Sequence, residues 1–475
     1  MNSGVDRRRF LKYVGAGIAG VAAAGAGYYL YDRQRAYIPA TSQATTVTSA
    51  SQATIITSMK INSPPVVSGI RVKPEWINPT SEYTVELSYD GYDPDNDPLN
   101  TTWLIDGKEG GHENKYATKL PEGAHDIILK VCDVADNRTL SETTRYRTIT
   151  VETDQIYPTR QLHIKHKGMR MMVGWKGMPH TPIDITDEKL DIIQNELGCN
   201  AVIIFGNTEF EDDLIEAGRL AIQKGFDRIY IAPMYLDVPL DETVENIGKF
   251  ARKVRDLRQM SESIVFMVGH EFTFDSYGLV PGETYPERLA YPFEHSHWDA
   301  RVKAALPGAF KRIIGLCEDK YGYQITYAAT VGECESNLVP WSHPIFESVC
   351  TNAYLYDKIG WTESWIIKHL SGLKIFRKPV NSTEWGCLTY EGASREWGFT
   401  DEDLARYPYD EDEQARYIAR YCNMLNKAKI DGAFYTQFDD ERLKGYGLYS
   451  ANVGLYSGKK RKKGFYMYKS YQRTL

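Results

Sequence analysis

The chain of 475 residues lacks a surplus of basic charge, since 56 Lys and Arg stand against 63 Asp and Glu for a net charge of -7. A nucleic-acid binder carries a basic footprint, so that class is disfavoured. It also lacks any CxxC pair. Its seven cysteines (132, 199, 317, 334, 350, 387 and 422) are widely scattered. An odd, dispersed set is neither a disulfide framework nor a zinc site. One bridge, involving Cys387, stays open. No metal and no cofactor is expected. Aromatic residues, in contrast, are abundant at 12%, with 33 Tyr and 9 Trp. Such a set suits a surface that stacks on flat ligands such as sugar rings, or simply marks a Tyr-rich exported protein.

Composition changes along the chain. Residues 1–35 open with Arg7, Arg8, Arg9 and Lys12, followed by an uncharged run from Tyr13 to Tyr31. The stretch "DRRRFLKYVGAGIAGVAAAGAGYYLY" resembles a twin-arginine export signal, with Asp6 where Ser or Thr is usual. Its nineteen uncharged residues would also just span a bilayer. Ile38-Pro39-Ala40 is a poor cleavage site, which favours a retained membrane anchor over a released protein. The basic flank then stays inside and the body outside. Residues 36–62 form a Ser/Thr-rich linker containing a repeated SQAT unit. Such a segment cannot bury a core and reads as an exposed stalk.

Residues 63–155 read as all-β. "EYTVELSY", "NTTWLIDG", "AHDIILKVCD" and "RYRTITVE" are alternating strands separated by turn clusters. "DGYDPDNDPLNTTWLIDG" with "PEGAHDIILKVCDVADN" resembles the PKD or immunoglobulin-like modules of exported proteins. Asp93, Asp95, Asp97 and Trp103 carry that resemblance. The aspartates invite a calcium reading, but an EF-hand loop needs Gly and Glu where this chain has Pro98 and Leu104. The stretch therefore reads as a polar turn.

From residue 160 to 475 apolar strands alternate with amphipathic helices. The strands are "MRMMVGW", "NAVIIFG", "RIYIAPMY", "SIVFMVGHE", "YQITYAATVGE", "SVCTNAYLY", "KPVNSTEWG" and "GAFYTQFDD". Helices are expected from Thr186, which could cap its own helix, at 211–224, 242–258 and 298–320, and from about Phe465. Eight strand-helix units predict an α/β fold, a (β/α)8 TIM barrel, whose active site lies at the C-terminal strand ends. A doubly wound sheet is the alternative.

Two of those ends carry a glutamate, one in an apolar setting ("FMVGHE") and one in a polar one ("STEWG"). Glu271 ends the fourth strand and Glu384 the seventh. Cleaving a glycosidic bond needs this pair: one carboxylic acid to protonate the leaving oxygen, and one carboxylate to attack or to activate water. "VGHE" at 268–271, "TNAYLY" at 351–356, "PVNSTEWG" at 379–386 and the closing "YGLYSANVGLYSGKKRKKGFYMYKSY" resemble the clan of retaining glycoside hydrolases that includes β-mannanases and cellulases. The resemblance implies that Glu271 is the acid/base and Glu384 the nucleophile. It also implies that Tyr354 hydrogen-bonds the nucleophile and Asn352 lines the mouth; Asn207, at the end of the second strand, is a further candidate substrate contact.

Two positions depart from that clan. His270 replaces the Asn that usually binds a sugar hydroxyl. Tyr435 and Gln437 stand where strand 8 usually brings a stacking Trp, so either Trp175 and Trp385 take that role or the site is degenerate, and both tryptophans could also be barrel-rim packing. The expected partner is a polysaccharide or surface glycan, with the membrane reached through the N-terminal segment and no nucleic acid. The alternatives are a barrel that binds glycan without cleaving it, and a hydrolase of peptidoglycan-like polymers. Several residues have plainer readings. His295 and His297 could bind metal or line the cleft. Glu333 and Glu335 could be cleft carboxylates or loop charges. The run Lys459 to Lys463 reads as a solvated turn. Asn381 fits a glycosylation sequon but lies in a strand, so Asn100 and Asn137 are better acceptors.

Overall fold

The computed structural model describes residues 62–67, 69–73, 82–121, 123–135, 138–151, 157–175, 181–285, 287–288, 291, 299–330, 333–357, 360–395, 408–440, 448 and 461–474. The expected signal, nearly all of the Ser/Thr linker, His295, His297 and Asn137 lie outside them. Among the described residues no helix is long and apolar enough to cross a membrane. These residues form two units, one up to Val151 and one from Tyr157 onward.

The first unit is all-β. Among the described residues it contains a two-stranded, a three-stranded and a four-stranded sheet. In the largest, the strands Leu99–Ile105, Gly123–Ala135 and Arg138–Val151 pair antiparallel. Alternation sends Trp103, Ile127, Leu129 and Val131 inward, where they pack with Val85 and Leu87.

The second unit is a closed parallel barrel, with strands adjacent in sequence order. They are β1 (His166–Gly174), β2 (Ala201–Asn207), β3 (Arg228–Met234), β4 (Ile264–His270), β5 (Ile325–Ala329), β6 (Val349–Asn352), β7 (Val380–Trp385) and β8 (Gly432–Tyr435). Helices cover one face of these strands and the barrel interior covers the other. This is why β2 and β4 are buried along their whole length and read as continuous apolar runs. Inward side chains Met172, Ile203, Phe205, Tyr230, Met234, Met267 and Phe434 fill the interior.

The helices are α1 (Ile183–Asp191), α2 (Glu211–Lys224), α3 (Leu240–Met260), α4 (Ala300–Lys320), α5 (Glu363–Gly372), α6 (Glu411–Ala428) and α7 (Lys463–Ser470). Gly225 ends α2 in the left-handed conformation at φ 79°, which costs glycine nothing. Asp410 caps α6 by accepting from the amides of Asp412 and Glu413.

Four expectations need correction here. Helix α1 begins at Ile183 after Pro182, so Thr186 is buried inside it rather than capping it. Proline pre-sets the backbone for a helix entry, and that signal precedes the threonine. Cys387 is buried and unbridged. Arg461 and Lys462 are not solvated: they are buried and pair with Glu196 and Asp440, both at 2.6 Å. Glu335 is neither a cleft nor a loop charge but fully buried, for a reason given by the site below. Asn381 is buried within β7, out of reach of a glycosylating enzyme, whereas Asn100 is exposed.

Candidate active site

Strand β4 ends in an abrupt turn. Gly269 allows it, because a Cβ there would fall 2.2 Å from the Phe272 ring that folds back over the strand. Glu271 follows with φ 35° and ψ 52°, a left-handed backbone that a residue with a side chain adopts only under constraint. Its amide still donates to the Ala328 carbonyl of β5 at 3.0 Å. Residues Phe272–Asp275 then make one helical turn, whose last two amides return to the Glu271 carbonyl.

Glu335 imposes the constraint. Its Oε1 accepts from the Thr273 amide and hydroxyl, both at 2.9 Å, and from the Tyr327 hydroxyl at 2.8 Å. Its Oε2 accepts from the Thr330 amide at 2.6 Å. Tyr327 in turn accepts from the Phe272 amide at 2.7 Å. One buried carboxylate thus ties the turn after β4 to the end of β5. Arg288 holds the same turn from its other side, donating to the Phe274 carbonyl at 2.6 Å and the Asp275 carbonyl at 3.3 Å.

Glu384 lies in β7 opposite Asn352 of β6, across an irregularity in the ladder. The Tyr354 hydroxyl donates to its Oε2 at 2.9 Å, and His270 Nε2 lies 2.9 Å from its Oε1. Arg170 of β1 forms an ion pair with the same carboxylate. Arg170 shares the inward parity of Met172, and its guanidinium lies over the Phe205 ring inside the barrel. Burial brings the Arg170 pKa down to about 10, while nearby Tyr354, Glu271 and Asp275 oppose that fall.

Glu271 has a different setting. Asn352 Nδ2 donates to its Oε1 at 2.8 Å, and the Tyr285 hydroxyl is a long 3.5 Å from its Oε2. The amide orientation of Asn352 is fixed because its Oδ1 accepts from the Thr383 hydroxyl at 2.9 Å. Burial is the main cause of a raised Glu271 pKa; His270 pulls it down and Asp275 pushes it up. Charge-assisted hydrogen bonds favour an ionised carboxylate, whereas apolar burial favours the neutral acid. The two carboxyl groups therefore stand in different settings: Glu384 meets the Tyr354 hydroxyl, the Arg170 guanidinium and the His270 ring, and Glu271 is buried with a raised pKa. Asn352 Nδ2, the donor to Glu271, lies 3.1 Å from His270 Nε2, the nitrogen that faces Glu384.

Among the expected site residues, His270, Glu271, Asn352, Tyr354 and Glu384 meet in this network. Tyr354 is partly exposed and stacks on Tyr356 at 5.6 Å between ring centroids. Trp175 follows β1, half-buried against the interior cluster. Asn207 ends β2 and donates to the Met234 carbonyl at 3.5 Å. Gln437 is buried two residues beyond β8 and donates to the Asp439 carbonyl at 2.8 Å.

Trp385 and Tyr435 are corrected. Trp385 is fully buried, stacked on Tyr421 of α6 at 4.3 Å, and meets Tyr435 and Tyr468 edge-on. Both side chains occupy the layer between barrel and helices, so neither can stack on a sugar. Arg170, Asp275 and Tyr285 were missed as members of the site, and Glu335, read as a cleft carboxylate or a loop charge, is instead the buried support of the turn after β4. Arg170 had a sequence signal, a lone charge inside the apolar run "MRMMV". Asp275 had one too, four residues beyond Glu271 and so one turn away.

No protein-family model and no curated protein matches the chain. Similar solved structures include a Bacteroides uniformis β-glucuronidase (13% identity, TM-score 0.47, covering 85% of this chain and 49% of that one). Another is Bacteroides uniformis β-glucuronidase 2 covalently bound to cyclophellitol-6-carboxylate aziridine (13%, TM-score 0.46, 85% and 50%). A third is a β-glucuronidase from Ruminococcus gnavus in complex with an N1-substituted uronic isofagomine (12%, TM-score 0.40, 85% and 67%). The chain spans about half the length of the two Bacteroides uniformis proteins.

Proposed function

We propose that the chain is an exported glycoside hydrolase that cleaves β-linked polysaccharide or surface glycan by double displacement, without a cofactor. The observation that carries this reading is the contrast between the two carboxyl groups at the barrel's C-terminal end. Glu384 receives the Tyr354 hydroxyl, the Arg170 guanidinium and the His270 ring, a setting that keeps it anionic and fixes its direction. Glu271 is buried with its pKa raised, a setting that keeps a proton available.

In the first step a Glu384 oxygen attacks the anomeric carbon. The bond to the leaving oxygen breaks, and that oxygen takes the Glu271 proton. In the second step Glu271, now a carboxylate, takes a proton from water. The water oxygen attacks the same carbon and displaces Glu384. The N-terminal β-unit is read as a PKD- or immunoglobulin-like module, and residues 1–35 as a twin-arginine segment that exports and tethers the enzyme.

The test is turnover of a panel of aryl β-glycosides and polysaccharides by residues 60–475. A Glu384→Gly variant should lose activity by orders of magnitude on every substrate. Azide or formate should restore turnover by filling the space left, giving product of inverted configuration. The placement of Trp385 and Tyr435 in the helix layer favours a second reading, a barrel that binds glycan without cleaving it. Glycan binding with no turnover anywhere in the panel would establish that reading instead.

A further inference from the structure

We propose that Asp93, Asp95 and Asp97 in the N-terminal β-unit bind one divalent cation of the calcium class. The three residues lie in the loop between the strands Gly91–Tyr92 and Leu99–Ile105. One carboxylate oxygen from each lies within 4.8 Å of the others. Calcium takes its oxygens at about 2.3–2.6 Å, so two ligands of one ion lie at most about 5 Å apart. An all-oxygen donor set with no imidazole or thiolate suits a hard cation.

The second observation is Asp93 itself, whose side chain is only 6% exposed. A polar turn accounts for half of it. Oδ1 accepts from the Asp95 amide at 2.7 Å and the Asp97 amide at 3.0 Å, which closes the loop. Oδ2 is buried with no donor among the described residues. A buried carboxylate oxygen without a donor is costly, and so is the mutual repulsion of three acids. A cation among the three carboxylates removes both costs. The turn reading explains the backbone of this loop, and the cation explains the oxygen that the turn leaves over.

The site has a structural consequence. Asp95 Oδ2 accepts from the Ser63 amide at 2.6 Å, and Asn62 donates to the buried Asp133 at 2.6 Å. A cation held by Asp95 therefore stiffens the point where the chain enters the β-unit.

The experiment uses the full chain stripped with a chelator. Isothermal titration with calcium chloride should show one site, with a Kd in the range of about 0.1–1 mM common for extracellular modules. Terbium should bind competitively with calcium, and its luminescence should be sensitised by the exposed Tyr92 next to the loop. Asp97→Asn removes a ligand charge while leaving the Asp97 amide bonded to Asp93, and should weaken calcium at least about tenfold. Asp95→Asn gives an independent second variant. Asp90→Asn, outside the cluster, should bind as the unaltered chain does. Melting in chelator shows whether each variant is folded. No calcium binding up to about 10 mM, a value beyond the extracellular range, would overturn the proposal. Equal binding by folded Asp95→Asn and Asp97→Asn variants, or magnesium binding as tight as calcium, would also overturn it.

Discussion

His270 places its Nε2 2.9 Å from Glu384 Oε1 and its Nδ1 3.2 Å from Asp275 Oδ2, so each face of one imidazole meets a carboxylate. The residue that departs from the Asn usual in the resembled clan therefore orients the proposed nucleophile. Both ring nitrogens can donate together only when the ring is protonated. The same ring and the same aspartate act in opposite directions on Glu271.

That opposition gives the first prediction. His270 lowers the Glu271 pKa and Asp275 raises it. If Glu271 must be protonated to act, activity falls as pH rises through its pKa. Asp275→Asn should move this alkaline limb to lower pH, and His270→Gln should move it to higher pH. The measurement is kcat/KM against pH for both variants. Limbs that stay in place, or that move in the same direction, would contradict the assignment of Glu271 as the acid.

A second prediction concerns Glu335. Its carboxylate satisfies four donors: two from Thr273 in the turn after β4, the Tyr327 hydroxyl of β5, and the Thr330 amide just beyond β5. Glu335→Gln keeps the shape but turns an amide NH2 toward some of those donors. The loss should be about 2–4 kcal/mol, read by urea denaturation, because buried unsatisfied groups cost roughly 1–3 kcal/mol each. Activity should fall as well, because the Glu271 backbone depends on the same turn. A change under about 0.5 kcal/mol, the range of ordinary surface substitutions, would show that Glu335 is not what holds it.

Trp385 supplies a third. Packed against Tyr421, Tyr435 and Tyr468, it should behave as a core residue. Trp385→Ala should cost about 3–5 kcal/mol of stability. The milder Trp385→Phe should leave KM essentially unchanged for folded enzyme. A large rise in KM at unchanged stability would return Trp385 to the sugar site.

The barrel was legible because strands covered on both sides must be apolar throughout, and "AVIIFGN" and "IVFMVGH" are. Glu271 stood out for the same reason, as a charge where such a run stops, whereas Glu384 follows the polar Asn381, Ser382 and Thr383 and stood out by its place in the seventh strand. The direction of Trp385 and Tyr435 was legible too, but only by counting alternation. Glu384 and Phe434 point inward, so their next neighbours point to the helices. What could not be read was long-range pairing. Arg461 and Lys462 look solvated in sequence, and their partners Glu196 and Asp440 are brought to them only by the closed barrel. Glu335 likewise finds Thr273 only because β4 and β5 are neighbours.

The last prediction separates an acid from a structural glutamate at position 271. Glu271→Ala removes the proton donor, so loss should be severe for sugars whose departing group is a poor one. It should be mild for activated aryl glycosides, which need little protonation to leave. A structural glutamate would instead lower stability and affect all substrates alike. Stability itself carries a second signature. The folded-state pKa of Glu271 is raised above the ordinary 4.5, chiefly by burial. The folded state therefore binds the proton more tightly than the unfolded chain. That contribution is complete below about pH 4.3, the unperturbed Glu value, and is lost as pH rises through the folded-state pKa. Glu271→Gln cannot ionise and escapes the loss. In urea denaturation, its stability relative to the unaltered chain should improve as pH rises above about 4.3, the unperturbed Glu value, and level off once the folded-state pKa of Glu271 is passed. A pH-independent difference between the two would mean that Glu271 ionises as freely in the folded protein as in the unfolded one, and the acid would have to be sought elsewhere.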